Sequence, residues 1–151
     1  MSFYADWILP SLIDLSMRNK RLRPYRERIA GAAEGRVLDL GIGSGLNLPF
    51  YAPRARQIFG LDPSLPLLTR ARSKAPRKET PIHLLEGSAE YIPLADHSID
   101  TIVMTWGGCR LNRKIDDLLS DAGFQIDRLA TGYIPGPKIM SFFYEGAAMP
   151  R

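Results

Sequence analysis

The sequence predicts an α/β fold: a mostly parallel sheet of about six strands between helical layers, ending in an antiparallel C-terminal strand pair. Three observations predict it. Short apolar runs bounded by glycine or proline alternate with helix-period segments over the first two thirds of the chain, the pattern of parallel strands joined by crossover helices. The first of these runs passes straight into Gly41-Ile42-Gly43-Ser44-Gly45, a glycine turn leading out of a strand. The 151 residues, 45% hydrophobic and 24% charged, suit one folded domain and are too apolar for disorder.

Taken in order, residues 3–33 read as helix. Trp7, Ile8, Leu12, Ile13, Leu15 and Leu22 recur at three- and four-residue steps, with Pro10 and Pro24 dividing the stretch because proline lacks a backbone donor. After Gly35, Arg36–Leu40 is a short buried-type strand, and a helix is expected from Ser44 or Leu46 to about Tyr51. Gln57–Asp62 is the second strand, and Leu65–Lys74 a helix opened by Pro63-Ser64. Ile82–Glu86 is the third strand, closed by Gly87, and Ile99–Trp106 the fourth. Asn112 caps a helix over 113–122 that stops at Gly123. Phe124–Tyr133 and Lys138–Ala148 then form two strands around Pro135-Gly136-Pro137. No repeat, low-complexity tract or linker interrupts this order. One domain over 1–151 is expected, with a helical cap (1–34), a half carrying the glycine turn (35–106) and a C-terminal part (107–151).

Composition excludes several functions. The lone Cys109 rules out an internal disulfide and a cysteine zinc cluster, and two histidines, His83 and His97, leave a metal site poorly supplied. No apolar run approaches the roughly 20 residues of a membrane span, and the N-terminus lacks a signal peptide's basic and apolar regions. A cytoplasmic, reduced protein is expected. The net charge is +4, with basic clusters at 18–28 and at Arg70, Arg72, Lys74, Arg77 and Lys78. Neither interleaves aromatics as a single-strand groove does; solvated helix faces account for them, and no nucleic-acid partner is favoured.

Chemistry concentrates at the strand ends. Gly41, Gly43 and Gly45 let the chain turn sharply and let a ligand approach the backbone with no Cβ in the way. The spacing Gly41-x-Gly43-x-Gly45 is not that of the dinucleotide fingerprint, and alone it is also explained as a tight βα turn. Asp62, ending the second strand, adds a carboxylate able to accept both hydroxyls of a ribose. Glu86-Gly87-Ser88-Ala89-Glu90 follows the third strand. Three loops thus converge at the carboxyl edge of the sheet, where open α/β folds bind ligands.

In Val37–Gly45, Ile58–Asp62, Glu86–Pro93 and Ile99–Trp106 the chain resembles a class I S-adenosylmethionine-dependent methyltransferase, with a Rossmann-like three-layer sandwich. It is most similar to the branch of ubiquinone/menaquinone-biosynthesis and methyltransferase-like thiol-methylating enzymes. Phe3-Tyr4-x-x-Trp7-Ile8-Leu9-Pro10, Gly43–Tyr51 and the stretch from Leu111-Asn112-Arg113 to Gly132–Pro137 carry the same likeness. The resemblance implies S-adenosylmethionine as cofactor. It implies Gly41, Gly43 and Gly45 around the methionine part and ribose, with Asp39 orienting the amino group through water or backbone. Asp62 would hold the ribose hydroxyls, Pro63 would pack near the adenine, and Ser88 and Ala89 would meet the adenine edge. Many relatives carry Asp where Ser88 stands, so less selective recognition of the adenine amino group is expected. Thr105 and Trp106 would end the fourth strand beside the methyl group, with Tyr4 and Trp106 as pocket candidates; no catalytic residue is assigned.

The likeness breaks after Trp106. Where the family has a lid segment, a helix and a fifth parallel strand, this chain runs into Gly107-Gly108-Cys109, so one to two strand–helix units of roughly 30 residues are missing. Strand four, with Ile102-Val103-Met104, then needs a cover: either the C-terminal pair moves in beside it, giving six strands, or a second copy covers it. The inward move with a homodimer on top is the favoured expectation. Three functions follow: methyl transfer to a small-molecule acceptor, a cofactor-binding module that has lost transfer with its lid, or a different Rossmann-like nucleotide enzyme.

Overall fold

Punctuation by glycine and proline sets the element boundaries. The computed structural model describes residues 15, 18, 20–75, 80–104, 117, 120, 121, 123–133 and 142–150. They fall in two compact units, 1–107 and 108–151.

In the first unit, a 3-10 turn, Lys20–Leu22, leads into helix α1, Arg23–Ala32. Pro24 sits in the first turn of α1, where its missing N–H is not needed; it marks the start of the α-helix instead of breaking one. Strand β1, Gly35–Leu40, is followed by the glycine turn and a 3-10 turn at Leu48–Phe50. Strand β2 is Ala55–Asp62, helix α2 Leu65–Lys74, strand β3 Ile82–Glu86 and strand β4 Thr101–Met104. The four strands form one parallel sheet in the order β3-β2-β1-β4. Leu40 pairs with Leu61 and Asp62 with Glu86, so the carboxyl ends of β1, β2 and β3 lie side by side.

Strand alternation divides the core between the two faces of the sheet. Val37, Ile58 and Val103 pack with Ala30 of α1 and Leu68 of α2. Leu38, Leu40 and Leu61 on the other face are covered by Ile99 and the partly buried Ile92 and Leu94. Among the described residues, no helix is long and apolar enough to cross a membrane.

In the second unit Asp117, Ser120 and Asp121 are helical. Gly123 then takes a left-handed φ of 81° and donates its N–H to the Ser120 carbonyl, ending the helix where expected. Strands β5, Phe124–Tyr133, and β6, Phe142–Pro150, pair antiparallel from Phe124↔Pro150 to Tyr133↔Phe142.

The structure differs from the expectations in several places. The helix expected from Ser44 or Leu46 to Tyr51 is a series of tight turns with a single 3-10 turn. Gly41, Gly43 and Gly45 all take left-handed φ, and the bonds close at three residues, from Leu48 N to Gly45 O and from Phe50 N to Asn47 O. The fourth strand begins at Thr101, not Ile99; just before it Asp100 donates its N–H to the Arg36 carbonyl and accepts from the Arg36 backbone N–H and guanidinium. Among the described residues the six strands are a four-stranded parallel sheet in the first unit and an antiparallel pair in the second. Within the second unit, β5 and β6 bond to each other along nearly their whole length. The last strand is shifted to Phe142–Pro150, and the Pro135-Gly136-Pro137 segment lies outside the described residues.

Candidate functional site

The site is built on the exit of β1. Gly41, Gly43 and Gly45 have φ of 69°, 55° and 76°, a region costly for any residue with a Cβ. Gly41 and Ile42 donate their N–H groups to the Leu61 carbonyl, folding the turn over the end of β2. The glycines do different work. A Cβ on Gly45 would come within 2.8 Å of Leu48 Cδ1 and 3.1 Å of Ala71, so Gly45 permits close packing on α2. A Cβ on Gly43 would meet nothing nearer than the Gly41 carbonyl at 3.9 Å. Gly43 thus borders open space, a backbone cradle that a ligand can enter.

Asp62 ends β2 beside that cradle, with 6% of its surface exposed. One carboxylate oxygen accepts the Gly43 N–H at 3.0 Å and the other the Ser64 N–H at 2.8 Å. Burial raises its pKa, opposed by these two hydrogen bonds. Each oxygen keeps a second lone pair, enough for two adjacent hydroxyls. Next in the sheet, Gly87 donates its N–H to the Asp62 carbonyl at 3.2 Å. Ser88 Oγ accepts the Glu90 N–H and the Ser88 carbonyl the Tyr91 N–H, so this loop is a compact turn. Pro63, Ser88 and Ala89 are exposed at the same edge.

Beneath the turn lies a buried polar network that sequence reasoning did not find. Asp39 shares the face of Val37 and is fully buried. Asn47 donates its amide to both Asp39 oxygens, at 3.3 and 3.1 Å, and the Tyr51 hydroxyl donates at 2.9 Å. Arg26, reaching down from α1 and 6% exposed, donates to the Asn47 amide oxygen at 2.9 Å. Burial raises the Asp39 pKa to about 6; the bonds from Tyr51 and Asn47 and the charge of Arg26 oppose the rise, and the charge of Asp62 adds to it. Burial beside this carboxylate also pushes the Tyr51 phenol well above its usual range. Asp39 thus lies fully buried beneath the turn, its carboxylate taken up by Asn47 and Tyr51. The signal was present in the sequence: alternation from Val37 puts an acid on an apolar face, where a charge requires partners. On the other flank Lys74 donates to Ser44 Oγ at 2.8 Å, tying the end of α2 to the turn.

Of the expected site residues, the structure brings Gly41, Gly43, Gly45, Asp39 and Asp62 together and sets Pro63, Ser88 and Ala89 along the same sheet edge. Tyr4, Thr105 and Trp106 lie outside the described residues, as does Cys109. His83 stacks on Phe59 at 5.1 Å and lies 3.0 Å from Gln57 Nε2, on the surface of β3. His97 occupies a turn, with φ of 58°. Among the described residues no group of His, Cys, Asp and Glu is placed to hold a metal.

Comparison with known proteins agrees with this geometry. The family profile described as a methyltransferase domain matches residues 38–120. Phosphatidylethanolamine N-methyltransferase of Cereibacter sphaeroides is 34% identical over 104 residues, covering 66% of this chain and 49% of that protein. The ubiquinone/menaquinone biosynthesis C-methyltransferase of Syntrophotalea carbinolica is 37% identical over 93 residues, covering 60% and 38%. The chain thus spans about half or less of the length of these curated relatives. The fold is also that of Burkholderia thailandensis 1,6-didemethyltoxoflavin-N1-methyltransferase, solved with 1,6-didemethyltoxoflavin and S-adenosylhomocysteine bound, at a TM-score of 0.64, 14% identity and coverage of 97% and 87%. With more than half of its length matched by that profile, on the turn, the acid and the parallel sheet just described, the chain belongs to the methyltransferase domain family of class I S-adenosylmethionine-dependent type, whose cofactor is S-adenosylmethionine.

Proposed function

We propose that the chain transfers the methyl group of S-adenosylmethionine to a small-molecule acceptor. The observation that carries this is the Asp62 carboxylate, held between the Gly43 cradle and the end of β2 with a lone pair left on each oxygen. Gly41, Gly43 and Gly45 would receive the methionine part and ribose, and Asp62 the ribose hydroxyls. Pro63, Ser88 and Ala89 would border the adenine. Leu65, 56% exposed, and Tyr91, 82% exposed, follow the adjacent strands β2 and β3 at this edge, and offer apolar surface suited to a flat base. Bound there, S-adenosylmethionine supplies an electrophilic methyl on a positive sulfonium. Transfer needs alignment and exclusion of water more than acid–base groups, in keeping with a turn fixed by buried hydrogen bonds. Thr105 and Trp106 after β4, with Tyr4, are the residues we assign to the methyl side.

Calorimetry with S-adenosylmethionine, S-adenosylhomocysteine and NAD tests the first half: the two sulfur compounds bind and NAD does not. Absence of binding by either sulfur compound overturns the proposal. Methyl transfer to a panel of thiols, phenols, amines, a quinol and phosphatidylethanolamine tests the second half, the last two prompted by the names of the relatives. Binding without transfer to any of them would leave a cofactor-binding module. A homodimer belongs to the same proposal, since among the described residues β4 is paired on one side only, with β1. A solution mass of 16.9 kDa at micromolar concentration would contradict it.

A further inference from the structure

We propose that Arg26 and Asn47 are positioning residues for the cofactor, joining helix α1 to the glycine turn by holding the Asp39 carboxylate charged beneath it. The proposal rests on the cofactor-binding role given above to that turn. Asn47 and Asp39 bracket the turn, eight residues apart, so their hydrogen bonds clip its two ends together, and Tyr51 adds a second clip twelve residues along. Only an amide fits the Asn47 position: its oxygen accepts from Arg26 while its nitrogen donates to both oxygens of Asp39. A carboxylate there would face Asp39 with like charge, and an aliphatic side chain would remove a buried hydrogen bond from the guanidinium and two from the acid.

On its far side the turn is held by the second acid, through the Gly43 N–H on Asp62. Among the described residues, the charged and titratable groups facing Asp39 are Arg26 from α1, Tyr51 beyond the turn and Asp62 from β2. Of these only Arg26 favours the ionised form by its charge. Protonating Asp39 weakens the clip, because a neutral carboxyl accepts a weaker hydrogen bond than a carboxylate does. Cofactor affinity should then fall as the pH drops through about 6, and Arg26 fixes where that fall occurs.

The test is the pH profile of S-adenosylhomocysteine affinity, by calorimetry, beside the melting temperature. Arg26→Met should weaken binding about tenfold at neutral pH and move the acid-side midpoint up by about one pH unit, since it removes the favourable charge. Arg26→Lys should restore the midpoint. Asp39→Asn leaves a neutral side chain of the same shape, removing a buried charge. It should weaken binding and abolish the fall in affinity centred near pH 6 without lowering the melting temperature at pH 8. Should Arg26→Met prove unfolded, Asp39→Asn carries the test by itself. If these variants change only the melting temperature, with affinity and midpoint as in the unaltered protein, the positioning role is overturned. If the unaltered protein binds no S-adenosylhomocysteine at any pH, the cofactor role of the turn fails first and this inference with it.

Discussion

The two ends of β1 each meet an aspartate, in opposite physical states. Near the amino end, Asp100 is exposed and grips Arg36 through the backbone N–H at 2.8 Å and the guanidinium at 3.0 Å. Those hydrogen bonds hold its pKa down to about 2. Near the carboxyl end, Asp39 is fully buried, and desolvation outweighs every favourable partner and lifts its pKa to about 6. One residue type on one strand thus marks two kinds of place. The amino end carries a solvent-screened ion pair that closes the β4 approach. The carboxyl end retains a charge that its surroundings disfavour, and a fold keeps such a charge where a site is organised around it.

The sharpest way to break that contrast is at the carboxyl end. Asp62→Ala removes both bonds that hold the turn and the acceptor set for two hydroxyls, so S-adenosylmethionine affinity should fall on the order of a hundredfold or more. Calorimetry reads this directly, and unchanged affinity would remove Asp62 from the site. Gly45→Ala acts on packing instead. It places a Cβ in a left-handed backbone against Leu48 and Ala71, for a loss of about 2–3 kcal/mol in a urea melt. Gly43→Ala carries only the backbone strain, about 1 kcal/mol, because nothing stands within 3.9 Å. Its larger effect should be on cofactor affinity, where the methyl intrudes on the cradle. Equal losses of stability at both glycines would erase the distinction between a packing glycine and a ligand glycine.

Much of this edge was legible in the sequence. Leu65–Lys74 and Ile82–Glu86 match α2 and β3 end to end, because Pro63-Ser64 and Gly87 punctuate them sharply and their apolar periods do not compete. The convergence of three loops followed from the order of strands alone. The helix after the glycine turn did not form, since three left-handed glycines and Pro49 leave no run able to close four-residue bonds. Arg26, Asn47 and Tyr51 went unread because their role depends on a side chain seen from above and below at once. Asp39, expected to orient the amino group through water or backbone, alternates with Val37 and is buried against side-chain donors.

The smallest effects separate the two aspartates by pH. For Asp39 the folded pKa lies above the unfolded value of 3.8, so the folded state holds its proton longer. Stability from this group is greatest below pH 4 and falls as the pH rises to about 6, by about 2–3 kcal/mol. Asp39→Asn should abolish that fall. For Asp100 the folded pKa lies below 3.8, so its contribution is present above pH 4 and fades as the pH drops toward 2. Asp100→Asn should therefore lower the melting temperature slightly at neutral pH and not at all near pH 2, with the difference shrinking in high salt because the pair is exposed. A drop that persists in concentrated salt would mean that Asp100 acts through the Arg36 backbone N–H as a structural brace for the start of β4. The amino end of β1 would then depend on a carboxylate held by the backbone, as Asp62 is at the end of β2.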